Sequence, residues 1–235
     1  MRIKSYLFLL VLVLATPFAF SQQSEWIVLS GGPALPSWEK QKKVPHDRVW
    51  DNFIFTGQLR IEQLKKEIPA GDIITWMVYR TGYVARGKQM GADYVAQIEQ
   101  SALKWGVNLV WFDKQGANGN ELIEYINNGK DRSKIKIKSF DYFGHSNRKN
   151  FLFDYSNDLD GVSVVWLHIV DLKKMNRSAF DPTGQAWSYG CHSGDGYVQA
   201  WYQATGVKMQ GTKQKTDYAA RSWPVPSKGG KWNQL

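Results

Sequence analysis

Between Asp72 and Gly211 the chain alternates short apolar runs with helical patterns joined by brief links, and this alternation restricts the fold more than any other feature of the sequence. The run DIITWMVYR (Asp72 to Arg80) is dense in β-branched and aromatic residues and reads as a strand. In DYVAQIEQSALKWG, Asp93 is placed to cap a helix, Val95, Ile98, Ala102 and Trp105 share one face, and Gly106 closes the end. A second strand, VNLVWFD (Val107 to Asp113), and a short helix, GNELIEYINNG (Gly119 to Gly129), come next. The third strand, KIKIKSFDYFG, stops at Gly144-His145-Ser146-Asn147. Beyond it NFLFDYSNDLDG reads as a hairpin or excursion, and VSVVWLHIVDLKKM begins as strand and ends helical. The strand QAWSYG runs into Cys191, YVQAWYQATG makes a further helix, and VKMQG another strand. An earlier strand, EWIVLSG, precedes the series. LSGGPALPSW reads as loop, and the tail PVPSKGGKWNQL as a ragged end.

Strands and helices in this order predict an α/β fold, a mainly parallel sheet sandwiched by helices, with ligands bound at the carboxyl ends of the strands. Two such ends carry reactive side chains, His145 on one and Cys191 on another. If the two strands are neighbours, imidazole and thiol converge on one edge.

The first residues set the expected compartment. Arg2 and Lys4 precede the apolar run YLFLLVLVLATPFAF, after which Ser21-Gln22-Gln23 turns polar, the pattern of a secretory leader over residues 1–21. Its apolar core is short for a membrane span, so no stable insertion is expected after cleavage, and the chain is expected to be exported, periplasmic or extracellular. Residues 22–235 suffice for one sizeable domain with an N-terminal extension. The formal charge of +9 is spread over scattered lysines and arginines with no long basic run, so nucleic acid is not the expected partner. Most of the eleven tryptophans are expected in the core.

Cys191 is the only cysteine of the chain, and an exported chain with one thiol cannot use it for an internal disulfide. A thiol reacts as its thiolate and therefore needs a base or a cation beside it. His145 is the candidate base. Gly190 and Gly194 permit close backbone approach around the thiol, and the CHSGDG loop leads into a helix N-terminus, so its N–H groups can face developing negative charge. The competing reading is an inert, buried, small apolar residue.

The segments IKSFDYFGHSN and QAWSYGCHSG, whose His and Cys stand at 145 and 191, resemble the caspase-like, or clan CD, cysteine peptidases, which include caspases, gingipains, clostripain and the self-processing domains of large bacterial toxins. In that family one strand ends in a His-Gly turn and the next core strand ends in a Cys. The resemblance implies a caspase-like three-layer architecture, His145 as catalytic histidine, Cys191 as nucleophile, an oxyanion turn around Gly144, Ser146 and Gly190, and a peptide or protein substrate. The family's usual glycine after the histidine is Ser146 here, which keeps the backbone N–H but adds a side chain. Asp195 and Asp217, downstream of the thiol, are candidates for an acidic substrate pocket, against the plainer reading of solvated loop carboxylates.

Other chemistries find less support. His192 beside the thiol lacks any paired Cys or His spacing for zinc, so no metal is expected. No P-loop, dinucleotide-binding glycine pattern or serine elbow occurs, and no cofactor is expected. His168 in an apolar run reads as a hydrogen-bonded core histidine, and His46 as a loop residue. Two alternatives to a peptidase stay open: a non-catalytic binding module on the same fold, using its aromatic side chains for contact, and another thiol enzyme such as an acyl transferase.

Overall fold

The computed structural model describes residues 23–41, 43, 47, 49–113, 120–154, 165–218, 222–227 and 229–234. The expected leader, His46 and the middle of the excursion after the third strand lie outside them. In chain order the elements are β1 (Ser24–Ser30), α1 (Pro36–Glu39), α2 (Asn52–Glu67), β2 (Ile73–Tyr79), α3 (Arg80–Met90), α4 (Tyr94–Trp105), β3 (Asn108–Phe112), α5 (Asn120–Asn128), β4 (Lys136–Phe143), β5 (His145–Ser146), β6 (Asn150–Leu152), β7 (Trp166–His168), β8 (Phe180–Ser188), α6 (Tyr197–Thr205), β9 (Met209–Thr212), β10 (Thr216–Asp217), β11 (Val225–Pro226) and β12 (Trp232–Gln234).

Seven strands form one sheet in the order β12-β9-β8-β4-β1-β2-β3, parallel throughout except for β12, which pairs antiparallel with β9. The tail is therefore not a ragged end. Trp232 lies opposite Thr212 and Gln234 opposite Gln210, so the backbone of β12 closes the open edge of β9.

Alternation along each strand sends successive side chains to opposite faces. Ile27, Leu29, Met77, Tyr79, Phe140 and Tyr142 pack with α5 and α6, through Leu122, Ile123, Ile126, Tyr197 and Trp201. Val28, Ile74, Trp76 and Val78 pack instead with α2 and α4, through Phe53, Ile61, Leu64, Ile98 and Ala102. Helices thus cover both faces of the sheet, as the strand and helix pattern predicts. Counting the six parallel strands in chain order, the sheet reads 3-2-1-4-5-6, and the winding reverses between β1 and β4.

Helix α2 lies very close to the sheet because Gly57 carries no side chain: a Cβ there would sit 2.9 Å from the Ser30 hydroxyl and 3.2 Å from the indole nitrogen of Trp76. The same hydroxyl accepts from Trp76 and donates to the Phe53 carbonyl, which ties β1, β2 and α2 together. Beneath α2 a buried ion pair joins Arg60 to Asp141 of β4, Nε to Oδ2 at 2.9 Å, with Ser139 also donating to that oxygen. Helix α4 is capped as its sequence predicts. Asp93 accepts the Ala96 N–H at 2.9 Å and Gly106 takes the left-handed conformation. Asp93→Ala is expected to cost about 1 kcal/mol in urea unfolding.

Among the described residues no helix is long and apolar enough to cross a membrane.

Candidate functional site

Strands β4 and β8 are direct neighbours, with Tyr142 opposite Ser188, so the segments that follow them leave the sheet side by side. His145 and Cys191 belong to those two segments. Beyond β4 the chain turns at Gly144 into β5, which pairs antiparallel with β6, His145 opposite Leu152 and Ser146 opposite Phe151. Tyr142 donates to the His145 carbonyl, pinning the turn from below.

A contact between the two segments holds them together. The Ser146 hydroxyl donates to the Cys191 carbonyl at 2.6 Å, and the absence of a side chain at Gly190 makes room for Ser146: a Cβ on Gly190 would run into its hydroxyl and sit 3.1 Å from the Gly144 carbonyl. Gly144, Ser146 and Gly190 therefore meet at one place.

The ladder of β5 fixes the direction of its backbone groups. Asn147 donates to the Asn150 carbonyl, so the pair Ser146/Phe151 is the non-hydrogen-bonded kind and the Ser146 N–H points away from β6. The Gly144 carbonyl, two residues back and on the same edge, faces Gly190, which sets this outward edge toward the Cys191 segment. The Cys191 N–H turns to its own sulfur and has no backbone acceptor at another described position. Elsewhere in the CHSGDG loop the sequence-based expectation narrows: the N–H groups of His192, Gly194 and Asp195 are taken by the carbonyls of Gln214, Thr212 and His192.

Cys191 itself is half-buried. Thr216, at the start of β10, donates its N–H to Sγ at 3.3 Å. Burial pushes the thiol above its ordinary range; the Thr216 N–H and the Lys215 charge pull it down less strongly, while the Asp47 charge adds to the rise. The resting sulfur is thus a protonated thiol near neutral pH. His192 stands at φ 58°, the one non-glycine residue with positive φ among those described. Its N–H donates to the Gln214 carbonyl and its Nδ1 lies 2.7 Å from the Lys213 carbonyl, so this left-handed turn latches residues 213–216 beside the thiol.

His145 is held by a residue that sequence reasoning missed. Asp47 lies 2.8 Å from Nε2 through Oδ2 and is 4% exposed. Its Oδ2 also accepts the Ala34 N–H at 2.6 Å, and Arg86 donates to the main-chain carbonyls of Ala34 and Asp47. Burial alone would raise this carboxyl, but the His145 charge and hydrogen bond, the Ala34 N–H and Arg86 outweigh it and hold Asp47 below the usual carboxylate range. Phe53 of α2 meets the His145 ring edge to face at 5.0 Å, and Tyr218 meets Phe53 likewise. The only trace of Asp47 in the sequence is an acid in the segment VPHDRVW ahead of α2, with nothing local to link it to a residue about 100 positions on.

The remaining candidates lie further out. Asp195 pairs with Arg148 at 2.8 Å on the surface, and Asp217 is an exposed residue of the β10/β11 hairpin. His168 is half-buried and accepts the Val170 N–H through Nδ1. No group of three His, Cys, Asp or Glu side chains suited to a metal ion occurs among the described residues. At the winding reversal the first backbone N–H groups after β1 are consumed inside the protein: Gly31 donates to the Phe143 carbonyl and Gly32 to that of Phe153. A phosphate would have to displace both.

Comparison with known protein families, curated proteins and solved structures finds no match to this chain.

Proposed function

We propose that this chain is an exported cysteine peptidase of caspase-like architecture, in which His145 and Cys191 cleave peptide bonds. The observation that carries the proposal is the hydrogen bond from Ser146 to the Cys191 carbonyl, because it joins the two strand ends that bear the imidazole and the thiol. The chemistry follows from the groups present. His145 takes the Cys191 proton as sulfur attacks the substrate carbonyl carbon, and the oxygen of the tetrahedral intermediate accepts from the Cys191 and Ser146 N–H groups. Collapse breaks the C–N bond, and the imidazolium protonates the leaving amine. Water, losing a proton to His145, then attacks the thioester, releasing the carboxylic acid and returning the thiol. The serine that replaces the family's usual glycine is compatible with this role, since its side chain turns aside to Cys191 and its N–H stays on the outward edge.

A second reading, a binding module on the same fold, draws on the aromatic group beside the site. Phe143, Tyr189 and Trp187 stack in succession at 4.6 and 5.7 Å, and Trp223, 38% exposed, lies against Tyr189 at 5.8 Å. Phe143 and Tyr189 are buried, so contact would fall on the exposed face of Trp223, which suits a sugar ring or an apolar side chain.

The two readings part in one experiment. A peptide acyloxymethyl ketone, incubated with the purified chain, is expected to leave a single thioether adduct that peptide mapping locates at Cys191. Retention on envelope fractions without any adduct would favour the binding module.

A further inference from the structure

We infer that the groove between β3 and α5 docks an extended peptide segment bearing lysine or arginine, which adds to the open edge of β3 as a further strand. The inference is independent of the thiol chemistry.

The two edges of the sheet differ. β12 closes one by pairing with β9, whereas β3 pairs with β2 on one side and with no described strand on the other. Its sequence, Asn108-Leu109-Val110-Trp111-Phe112, contains no charge and no proline, and its register with β2 is unbroken, so the usual devices that blunt an exposed edge are missing. In a parallel pair, alternate residues turn their N–H and C=O away from the partner strand. β3 therefore offers donors and acceptors along its outer edge.

Helix α5 is tied to both ends of this strand. At the start of β3 the Asn108 amide donates to the Tyr125 hydroxyl at 3.3 Å, and just past its end the Asp113 N–H donates to the Glu121 carboxylate at 2.7 Å. Between the two ties lies a groove of about 540 Å³, a size typical of ligand sites. One wall is apolar, built by Met77, Val110 and Phe112, and the other is the α5 stripe that carries Glu121, Glu124 and Tyr125. No lysine, arginine or histidine lines the groove among the described residues. Two neighbouring cations are engaged elsewhere: Arg132 is buried against Glu25, and Arg80 lies 4.0 Å from Asp113.

An occupant of such a groove needs an apolar stem to lie on Val110 and Phe112 and a cation to meet the carboxylates. Lysine and arginine side chains supply both. A strand added beside β3 lies about 4.8 Å from it and presents every second side chain, about 7 Å apart, to the α5 side. Basic residues at alternate positions thus match Glu121 and Glu124, which are neighbours on one face of the helix. The β3 edge of a second copy carries no basic residue and would bring two more carboxylates to the seam, so pairing of two copies through this edge lacks charge complementarity.

The test uses the full chain carrying Cys191→Ala, so that no turnover intervenes, and a fluorescein-labelled Val-Lys-Val-Lys-Val-Lys peptide followed by fluorescence anisotropy. Saturable binding with a Kd below about 1 mM is expected. The counterpart with glutamate in place of lysine is expected to bind at least tenfold more weakly, although the net charge of +9 favours it wherever binding is non-specific. Glu121→Gln combined with Glu124→Gln keeps an oxygen for the Asp113 N–H and removes both charges; the lysine peptide is expected to weaken about five- to thirtyfold while the melting point stays in place. N-methylating the three valines in one peptide and the three lysines in another is expected to abolish binding in one case and spare it in the other, because only alternate N–H groups of an added strand face β3. Equal affinity for the lysine and glutamate peptides, an affinity untouched by the double variant, or indifference to both methylation patterns would overturn the inference. So would self-association that excludes the peptide, which would assign the edge to a second copy. The proposed peptidase activity stands or falls separately, since the groove includes neither His145 nor Cys191.

Discussion

Replacing Cys191 with alanine is expected to abolish peptide turnover, and replacing His145 with alanine to reduce it about 10²- to 10⁴-fold, with neither variant losing its fold. The difference in size follows from the roles. Without sulfur no thioester forms, and the covalent step is lost. Without the imidazole, sulfur still attacks, but only through the small fraction already ionised, and the leaving amine departs without a proton donor. Burial raises the thiol, which makes that fraction smaller than in a free cysteine and the dependence on His145 correspondingly steep. Cys191 lies beyond β8 and outside the core clusters, so Cys191→Ala should move thermal unfolding little, whereas His145→Ala leaves the buried Asp47 carboxylate without its imidazole and should lower the melting point while the fold persists. Turnover of an unfolded protein substrate and calorimetry, run on the same preparations, check the pair of statements. Residual turnover in Cys191→Ala at the level of the unaltered chain would remove Cys191 from the reaction.

The second large effect lies under the site. Arg60→Met is expected to destabilise the fold by about 3–5 kcal/mol, because it leaves Asp141 as an unpaired charge in the interior. Asp141 is fully buried, burial raises its carboxyl, and Arg60 and Ser139 offset that rise only in part. Its other oxygen, Oδ1, is buried and meets no hydrogen-bond partner among the described residues, so these hold no reserve of donors when the guanidinium is removed. For a chain of this size the loss corresponds to a melting point lower by roughly 10 °C. Combining Arg60→Met with Asp141→Asn removes the stranded charge and is expected to recover most of the stability; equal instability in single and double variants would show that packing of the Arg60 stem, not its charge, matters. Tyr189, which feels both charges and stands two residues before Cys191, links this pair to the segment that carries the thiol.

Strands β1, β2, β3, β4, β8 and β9 and helices α4, α5 and α6 were legible because their apolar residues recur at the right period and their ends carry recognised signals, Asp93 and Gly106 for α4 among them. Helices α2 and α3 were not. The inward face of α2 includes Thr56, Gly57 and Arg60, and that of α3 includes Gly82, Arg86 and Gly87, so polar and glycine residues occupy positions where a periodicity argument looks for leucine. Those same residues have tertiary reasons to be inside: close approach to the sheet, the ion pair with Asp141, and the anchoring of the Asp47 loop. The tail was misread because β12 is short and its pairing with β9 is a long-range event that Trp232-Asn233-Gln234 does not announce.

At the site, His145 and Cys191 were legible as chemical types at strand ends, whereas their shared edge depends on the β4/β8 pairing, which no local pattern encodes. Asp47 was invisible for the same reason: its partner is set by the fold, not by spacing.

The central claim is that imidazole and thiol act together on a carbonyl held between two backbone N–H groups. The structure of the chain with a peptide aldehyde bound tests it most directly. The account predicts a hemithioacetal on Cys191 Sγ, its oxygen within hydrogen-bond distance of the Cys191 and Ser146 N–H groups or of His145, and the Asp47–His145 contact intact. An aldehyde that leaves sulfur unbonded and still capped by the Thr216 N–H, or that binds away from this edge, would contradict it.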